Sequence, residues 1–451
     1  MADSSSGTPD QRPGDTGLIV AIIALFALSR LYLAYIGVAP DPAWVLNHLQ
    51  NIDINWLAED LWGTLWYLHA QPPLWNMILG TASVLTEADP DGIASLFNVL
   101  HIAVSLGSLL LVNAILRRLD VSVTLRALAA ALQIVMPSII FYENYIFYQH
   151  VSYGLFTAFL WAWLAFVQEG RAKYAWYAMA ALGLLAWLWS VFHPVLIVLL
   201  MLTVLLFARA RWRVFLPAAL AGLLFAALPS LKNAYVFDNA SPSSWLGMNL
   251  NQTTFDWLPE DNQVACTFEH AWDNAQIAEI AEDVPALKVL REPRNEAGSA
   301  NGNHISVIAF SKDCLGTVAG LIRANPDKYL KARVIQQLRS YLIPSYIYGW
   351  DPLNWEKLSI FTDPYEASLG PIKYVTILFF AVFWVALCVL ALRRGRNQPF
   401  FLTGLMIAGA FTAITLLLNG FEQHRMRYTI SQLQLIVAFV ALKAILARLR
   451  T

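Results

Sequence analysis

The sequence predicts an all-α polytopic membrane protein with about ten transmembrane helices, and three observations carry that reading. Of 451 residues, 58% are hydrophobic and only 14% are charged, whereas soluble domains sit near half apolar and a quarter charged. The apolar residues fall in blocks of about 17 to 25, the helix length that crosses roughly 30 Å of hydrocarbon. The short connections between alternate blocks carry Lys and Arg, as cytoplasmic loops do. A net charge of −1 leaves no basic field to hold nucleic acid, which is therefore not an expected partner.

Residues 1–16, MADSSSGTPDQRPGDT, are small and polar and bear Pro and Gly, which predicts a disordered cytoplasmic tail and not the basic region of a signal peptide. The first span then stays as an anchor. Spans are expected at 17–37, 94–116, 124–138, 148–168, 176–192, 194–208, 214–230, 371–392, 398–418 and 428–447. The even number puts both termini on one side. Basic residues collect on that side: Arg117, Arg118 and Arg126, then Arg171 and Lys173, then Arg209, Arg211 and Arg213, then Arg393, Arg394 and Arg396, and finally Arg448 and Arg450. That side is the expected cytoplasmic one. The far side keeps 38–93, 138–147, 231–370 and 419–427, with nearly all the Asp and Glu outside the tail. The chain thus divides into an N-terminal transmembrane module at 17–230, an extracytoplasmic insertion at 231–370 and C-terminal transmembrane helices at 371–451.

Within 38–93, WLAEDLWGTLWYLH and PPLWNMILGTASVL are Trp-rich, amphipathic and too short to span, which predicts interfacial helices broken at Pro72 and Pro73. The 231–370 stretch is more polar, with turn signals, and reads as a mostly helical insertion. It holds Cys266 and Cys314, which pair if they face an oxidising compartment and are otherwise unrelated thiols; Cys388 lies in an apolar block. Asn239-Ala-Ser-Pro and Asn251-Gln-Thr match the glycosylation acceptor pattern, the first with a handicapping proline.

The first loop supplies Asp41, Asp53, Glu59, Asp60 and His69 near the membrane surface, where a carboxylate could act as general base on a hydroxyl or be a solvated loop acid. In PSIIFYENYIFYQH, Glu143 sits among aromatics, where an acid is costly unless it is paired, used or left at the surface. The turn NGFEQHRMRYTIS places Glu422, His424, Arg425 and Arg427 on the outer side, against the charge rule. Two arginines there suit a forked clamp on phosphate, or anchoring to headgroups or to Glu422. His193-Pro194 and Lys232-Asn233 lie at the same level. There is no zinc spacing, Walker loop, GxGxxG or G-x-S-x-G elbow, and His150 and His270 stand isolated.

The acid-bearing first loop, the element YLHAQPPLWNMILG from Tyr67 to Gly80, Glu143 after the third span and the terminal EQHRMRY together resemble the C-type (GT-C) glycosyltransferases, which use polyprenyl-phosphate sugars. The protein mannosyltransferase and aminoarabinose transferase-like enzymes belong to that superfamily. The likeness covers roughly the first 200 residues and the last 35, not the central insertion. It implies a GT-C-like fold and an inverting transfer to an acceptor hydroxyl on the extracytoplasmic face, with an aspartate base. Spacing to the Pro-Pro-Leu element resembles a bacterial subgroup and selects Asp53 as base, with Asp41, nearer the span, as runner-up. Where relatives carry Asp-Glu and a lysine before the prolines, this chain has Asp41-Pro42 and Gln71.

The resemblance implies that a basic residue near the end helps hold the donor phosphate, a role that falls to Arg425 and Arg427, and His424, His69, Gln71, His193 and Lys232 are expected around it. Glu143, Asp60, Tyr67 and Glu422 orient acceptor or sugar. The implied partners are a polyprenyl-phosphate-linked sugar, a glycan, lipid or protein acceptor, and membrane lipid. No cofactor is firmly implied, and a divalent metal is usually dispensable in the closest branch. The expected location is the bacterial inner membrane, with the site facing the periplasm and both termini cytoplasmic. Two other classes fit an acid- and arginine-bearing membrane chain: a lipid or sugar transporter or flippase, and a non-catalytic lipid-binding subunit.

Overall fold

The computed structural model describes residues 15–48, 50–207, 209–258, 266, 285–342, 352–358, 378–419 and 423–450. In chain order the main helices are α1 (Asp15–Tyr35), α2 (Ala43–Asn47), α3 (Ile54–Glu59), α4 (Leu61–Trp66), α5 (Leu74–Leu85), α6 (Pro90–Arg118), α7 (Val123–Val135), α8 (Pro137–Glu143), α9 (Tyr148–Glu169), α10 (Ala172–Leu188), α11 (Val195–Phe207), α12 (Trp212–Phe237), α13 (Leu246–Gln252), α14 (Ser306–Ala324), α15 (Pro326–Lys331), α16 (Gln337–Leu342), α17 (Leu378–Leu392), α18 (Gln398–Leu418), α19 (Gln423–Tyr428) and α20 (Ser431–Arg448). Among the described residues, extended structure is confined to isolated bridges, Ala39 with Leu353 and Arg294 with Ala300.

Every expected span has a helix in its place. Among the described residues six are long and apolar enough to cross a bilayer: α1, α6, α9, α12, α18 and α20. A seventh forms if α7 and α8 count as one. Of the other expected spans, α10 has 17 residues and α11 has 13, and α17 is described from Leu378 onward. The α7–α8 pair bends by 51°, at Pro137, which has no N–H to give and whose ring crowds the preceding turn.

Helix ends follow their capping residues. Asp89 accepts the Gly92 N–H at 2.8 Å and Pro90 opens α6, a pairing of cap and first-turn proline that needs no further donor. Gly37, at φ +81°, ends α1 in the left-handed region while the Val38 N–H returns to the Leu33 carbonyl, the turn that glycine makes without penalty. The chain leaves that turn directly into the loop bearing Asp41.

At the centre lies α9, 78% of whose most apolar stretch is buried, against 22% for α1. It packs on α6 and α10, and α10 packs on α12. Outward-facing Val20, Leu28 and Leu31 on α1, Leu224 and Leu231 on α12, and Val385 and Val389 on α17 remain exposed. Such a belt of large apolar side chains suits hydrocarbon and not water.

The basic connections meet at one end. Arg118 pairs with Glu169 at 2.8 Å, the Arg118 and Gln168 side chains bond, and Gln168 also reaches Asn397, while Arg396 donates to the Gln168 carbonyl. Arg211 donates to the Phe166 carbonyl, and Lys443 to that of Leu119. Asp15 sits there too, paired with Arg126 and, at 3.6 Å, with Arg117. The expected tail of residues 1–16 is corrected accordingly. Residues 1–14 lie outside the described residues, but Asp15 opens α1 and is buried, because an acid beside two arginines is neutralised in place.

The opposite end carries α2–α5, four short helices within the 38–93 stretch, and the insertion that clasps them. Asn354 donates to the Gly37 carbonyl at 2.8 Å and Lys357 to the Ile36 carbonyl at 2.9 Å. Within the insertion α13 lies on α14, and Cys266 is bonded to Cys314.

Candidate functional site

A cavity of about 810 Å³ opens at the end away from the basic connections. Its walls come from four places. The first loop gives Asp41, Trp44 and His48; the α10–α11 turn gives Trp189 and His193. The insertion adds Trp245 and Asn249, and the ends of α18 and α19 contribute Asn419 and Arg425. Helix-breaking Pro42 and Pro194 set the first two of these turns, so backbone stiffness positions them.

Asp41 is half-buried in this wall. Its Oδ1 accepts the Ala43 N–H at 2.9 Å, and its other oxygen makes no hydrogen bond among the described residues. His48 sits with its ring 3.9 Å from that of Phe147. Its Nδ1 accepts the Gln50 N–H at 3.1 Å, which fixes the ring proton on Nε2. Burial, with the nearby Arg425 charge adding to it, holds this imidazole down to about 3, so His48 is a neutral N–H donor. Arg425 is 5% exposed, and its guanidinium lies 5.2 Å from the centre of the same Phe147 ring. One aromatic ring therefore organises a cation and a neutral donor in a cavity whose described wall also carries the Asp41 carboxylate.

Of the residues expected from the sequence, the cavity gathers Asp41, Gln71, His193 and Arg425. Asp53 is elsewhere. It is 6% exposed and caps α3, one oxygen accepting the Asn55 N–H at 2.8 Å and the other the Glu296 N–H at 2.7 Å. The Asp53 carboxylate is thus engaged by two backbone donors and lies outside the cavity wall, in which Asp41 stands. Asp60 likewise caps α4 through Gly63, and Tyr67 ends that helix, both outside the cavity wall.

His69 is fully buried. Its Nε2–H donates to the Asn303 carbonyl at 2.8 Å and its Nδ1 accepts the Ser244 hydroxyl at 2.8 Å. Burial outweighs the Asn303 bond and holds the ring down to about 3. It fastens the first loop to the insertion and offers nothing to a phosphate. Lys232 donates to the Leu68 carbonyl. Arg427 stacks over Tyr341 and Phe380, each ring centre 5.7 Å away, because residues two apart on a helix point to different sides and only Arg425 faces the cavity. Glu422 and the His424 side chain lie outside the described residues, as does His270. Asn251, a glycosylation acceptor by pattern, is 1% exposed in the cavity wall, where no bulky glycan fits.

Glu143 also leaves the site. It ends α8, 2% exposed, and forms a forked pair with Arg30 of α1, Nε to Oε1 at 2.8 Å and Nη2 to Oε2 at 2.8 Å. The hydrogen-bond chain beyond it has one direction. Tyr428 donates to His150 Nδ1, His150 Nε2–H to Ser105, and the Ser105 hydroxyl to Glu143 Oε2 at 2.6 Å. The acceptor-only carboxylate at the end sets every proton before it. His150 is thus not isolated: it ties α9 to α19, the helix that carries Arg425.

Sequence reasoning missed Arg30, His48 and the carboxamides of α13. A cation inside an apolar span was the available signal for Arg30, since it demands a partner. Among the described residues no three His, Cys, Asp or Glu side chains converge to hold a metal ion.

The cavity wall depends on one close approach. A Cβ at Gly247 would overlap the Ser311 carbonyl and come within 2.8 Å of the Leu315 nitrogen, so α13 lies on α14 only because residue 247 has no side chain. Gly247→Ala is expected to lift α13 and lower stability by about 1–3 kcal/mol, read as a lower Tm in detergent with the Cys266–Cys314 bond intact.

No protein-family model matches the chain, and no curated protein matches it.

Proposed function

We propose that this protein is a membrane glycosyltransferase of the GT-C type. It moves a sugar from a polyprenyl-phosphate carrier to an acceptor hydroxyl on the extracytoplasmic face of a bacterial inner membrane. The observation that carries the reading is the convergence of one half-buried carboxylate, Asp41, with Arg425 and neutral His48 around a single cavity. Two further features support the orientation. The Cys266–Cys314 bond beside the cavity suits an oxidising compartment, and the basic connections at the other end suit the cytoplasm.

In the reaction Asp41 takes the proton of the acceptor hydroxyl as that oxygen attacks the anomeric carbon. The bond from that carbon to the phosphate oxygen breaks on the opposite face, its electron pair leaving with polyprenyl phosphate, which gives inversion. Arg425 and the His48 Nε2–H stabilise the negative charge that grows on the phosphate. The carrier's tail lies against the apolar outer faces of the helices.

Binding of undecaprenyl phosphate tests this reading. The purified protein is expected to bind it and to bind undecaprenol, which lacks the phosphate, far more weakly. Arg425→Gln is expected to weaken phosphate-dependent binding by about 10- to 100-fold, the worth of a hydrogen-bonded charge. Equal binding of the alcohol, or an Arg425→Gln protein that binds as wild type does, would overturn it.

A further inference from the structure

The cavity wall is rich in carboxamides, several of them without a hydrogen bond among the described residues. The side chains of Asn47, Gln71, Asn249 and Gln252 make no hydrogen bond among the described residues, and Oε1 of Gln50 is buried without a partner. They stand on two facing sources, the first loop and α13 of the insertion. Against them the described wall carries only two full charges, Asp41 and Arg425, one of each sign.

We infer that the sugar this cavity takes is an uncharged polyol, selected against amino sugars and uronic acids. The inference rests on the glycosyltransferase reading above and assigns the insertion a share in substrate choice. A carboxamide both donates and accepts, as a sugar hydroxyl does, so an array of them matches a neutral polyol without introducing charge. Trp44, Tyr148, Trp189 and Trp245 add the aromatic surface against which a sugar's C–H face rests. An ammonium group on the sugar would have Asp41 as its partner and would take the base out of use. A carboxylate would compete with the phosphate for Arg425. Any other position leaves the extra charge desolvated and unpaired, which is strongly unfavourable.

Binding to the full-length protein distinguishes the possibilities. The probes are undecaprenyl phosphate alone, its neutral mannose conjugate, its cationic 4-amino-4-deoxyarabinose conjugate and its anionic glucuronic acid conjugate. The mannose conjugate is expected to bind at least about tenfold tighter than the glucuronic acid conjugate, the scale set by one poorly paired charged group, and the aminoarabinose conjugate, its ammonium on Asp41, is expected to be transferred at least about tenfold more slowly than mannose. Asn249→Asp is expected to raise the affinity for the amino-sugar conjugate relative to mannose, a gain that misfolding does not produce. Arg425-dependent binding of undecaprenyl phosphate, with equal affinity for neutral and charged conjugates, would overturn this inference and leave the function standing. Absence of Arg425-dependent binding would overturn both.

Discussion

Asp41→Asn is expected to lower the transfer rate by about 10²- to 10⁴-fold, the usual contribution of a general base, with little change in Tm or in affinity for undecaprenyl phosphate. The amide keeps an oxygen to accept the Ala43 N–H, so the loop stays folded, but it takes no proton from an acceptor hydroxyl. Asp53→Asn is expected to do the reverse. Its carboxylate holds the Asn55 and Glu296 N–H groups, and the amide replaces one of those acceptors with an N–H donor. Stability then falls by about 1 kcal/mol, as for a weakened helix cap, while transfer stays within a few-fold of wild type. Product formation from a labelled polyprenyl-phosphate sugar, followed beside thermal unfolding, separates the two variants. Full activity of Asp41→Asn would remove the assigned base.

Glu143→Gln is expected to destabilise the protein by about 3–5 kcal/mol, the cost of leaving a buried charge without its partner. Arg30, 7% exposed, would keep its charge among apolar helices with no anion to meet it, only the Ile134 carbonyl, Ser29, the Phe26 ring and the neutral amide oxygen of the new Gln. The cause is testable by removing both charges. An Arg30→Met, Glu143→Leu double variant is expected to recover most of the loss, since an apolar pair of similar volume is often neutral or better. Tyr428 ends the hydrogen-bond chain from Glu143 and shares α19 with Arg425, so Glu143→Gln is also expected to weaken binding of undecaprenyl phosphate. Denaturant unfolding in detergent reads the first effect; unchanged stability in the single variant would show that the pair is not a clamp.

These two residues show what one chain's pattern reveals. The helices were legible because an apolar block of span length has few other fates in water or lipid, and each expected span meets a helix. The number of crossings was less legible, since α10 and α11 are apolar yet short, and length was the criterion. The pairing of Cys266 with Cys314 was open from spacing alone and is settled only by the folded insertion, which brings α14 to the cavity. Asp41 and Asp53 share a loop and a chemistry. What separates them is a backbone donor 243 positions away in the chain, at Glu296, and local pattern contains no trace of it.

Long-range partners explain the other differences. Glu143 reads as a site acid until Arg30, 113 residues earlier, is brought against it. His69 reads as a phosphate ligand until Asn303 and Ser244 take both ring nitrogens. Arg425 and Arg427 look alike in EQHRMRY, and the helical turn alone divides them. His48 and the α13 carboxamides belong to no motif, and only the closing of the insertion over the first loop makes them one wall.

A structure of the full-length protein with undecaprenyl phosphate bound tests the central claim most directly. The account predicts the phosphate in the 810 Å³ cavity, within hydrogen-bond reach of the Arg425 guanidinium and His48 Nε2, and on the same cavity as the Asp41 carboxylate. A phosphate seated instead beside Arg427 or Asp53, with Asp41 and Arg425 untouched, would contradict it.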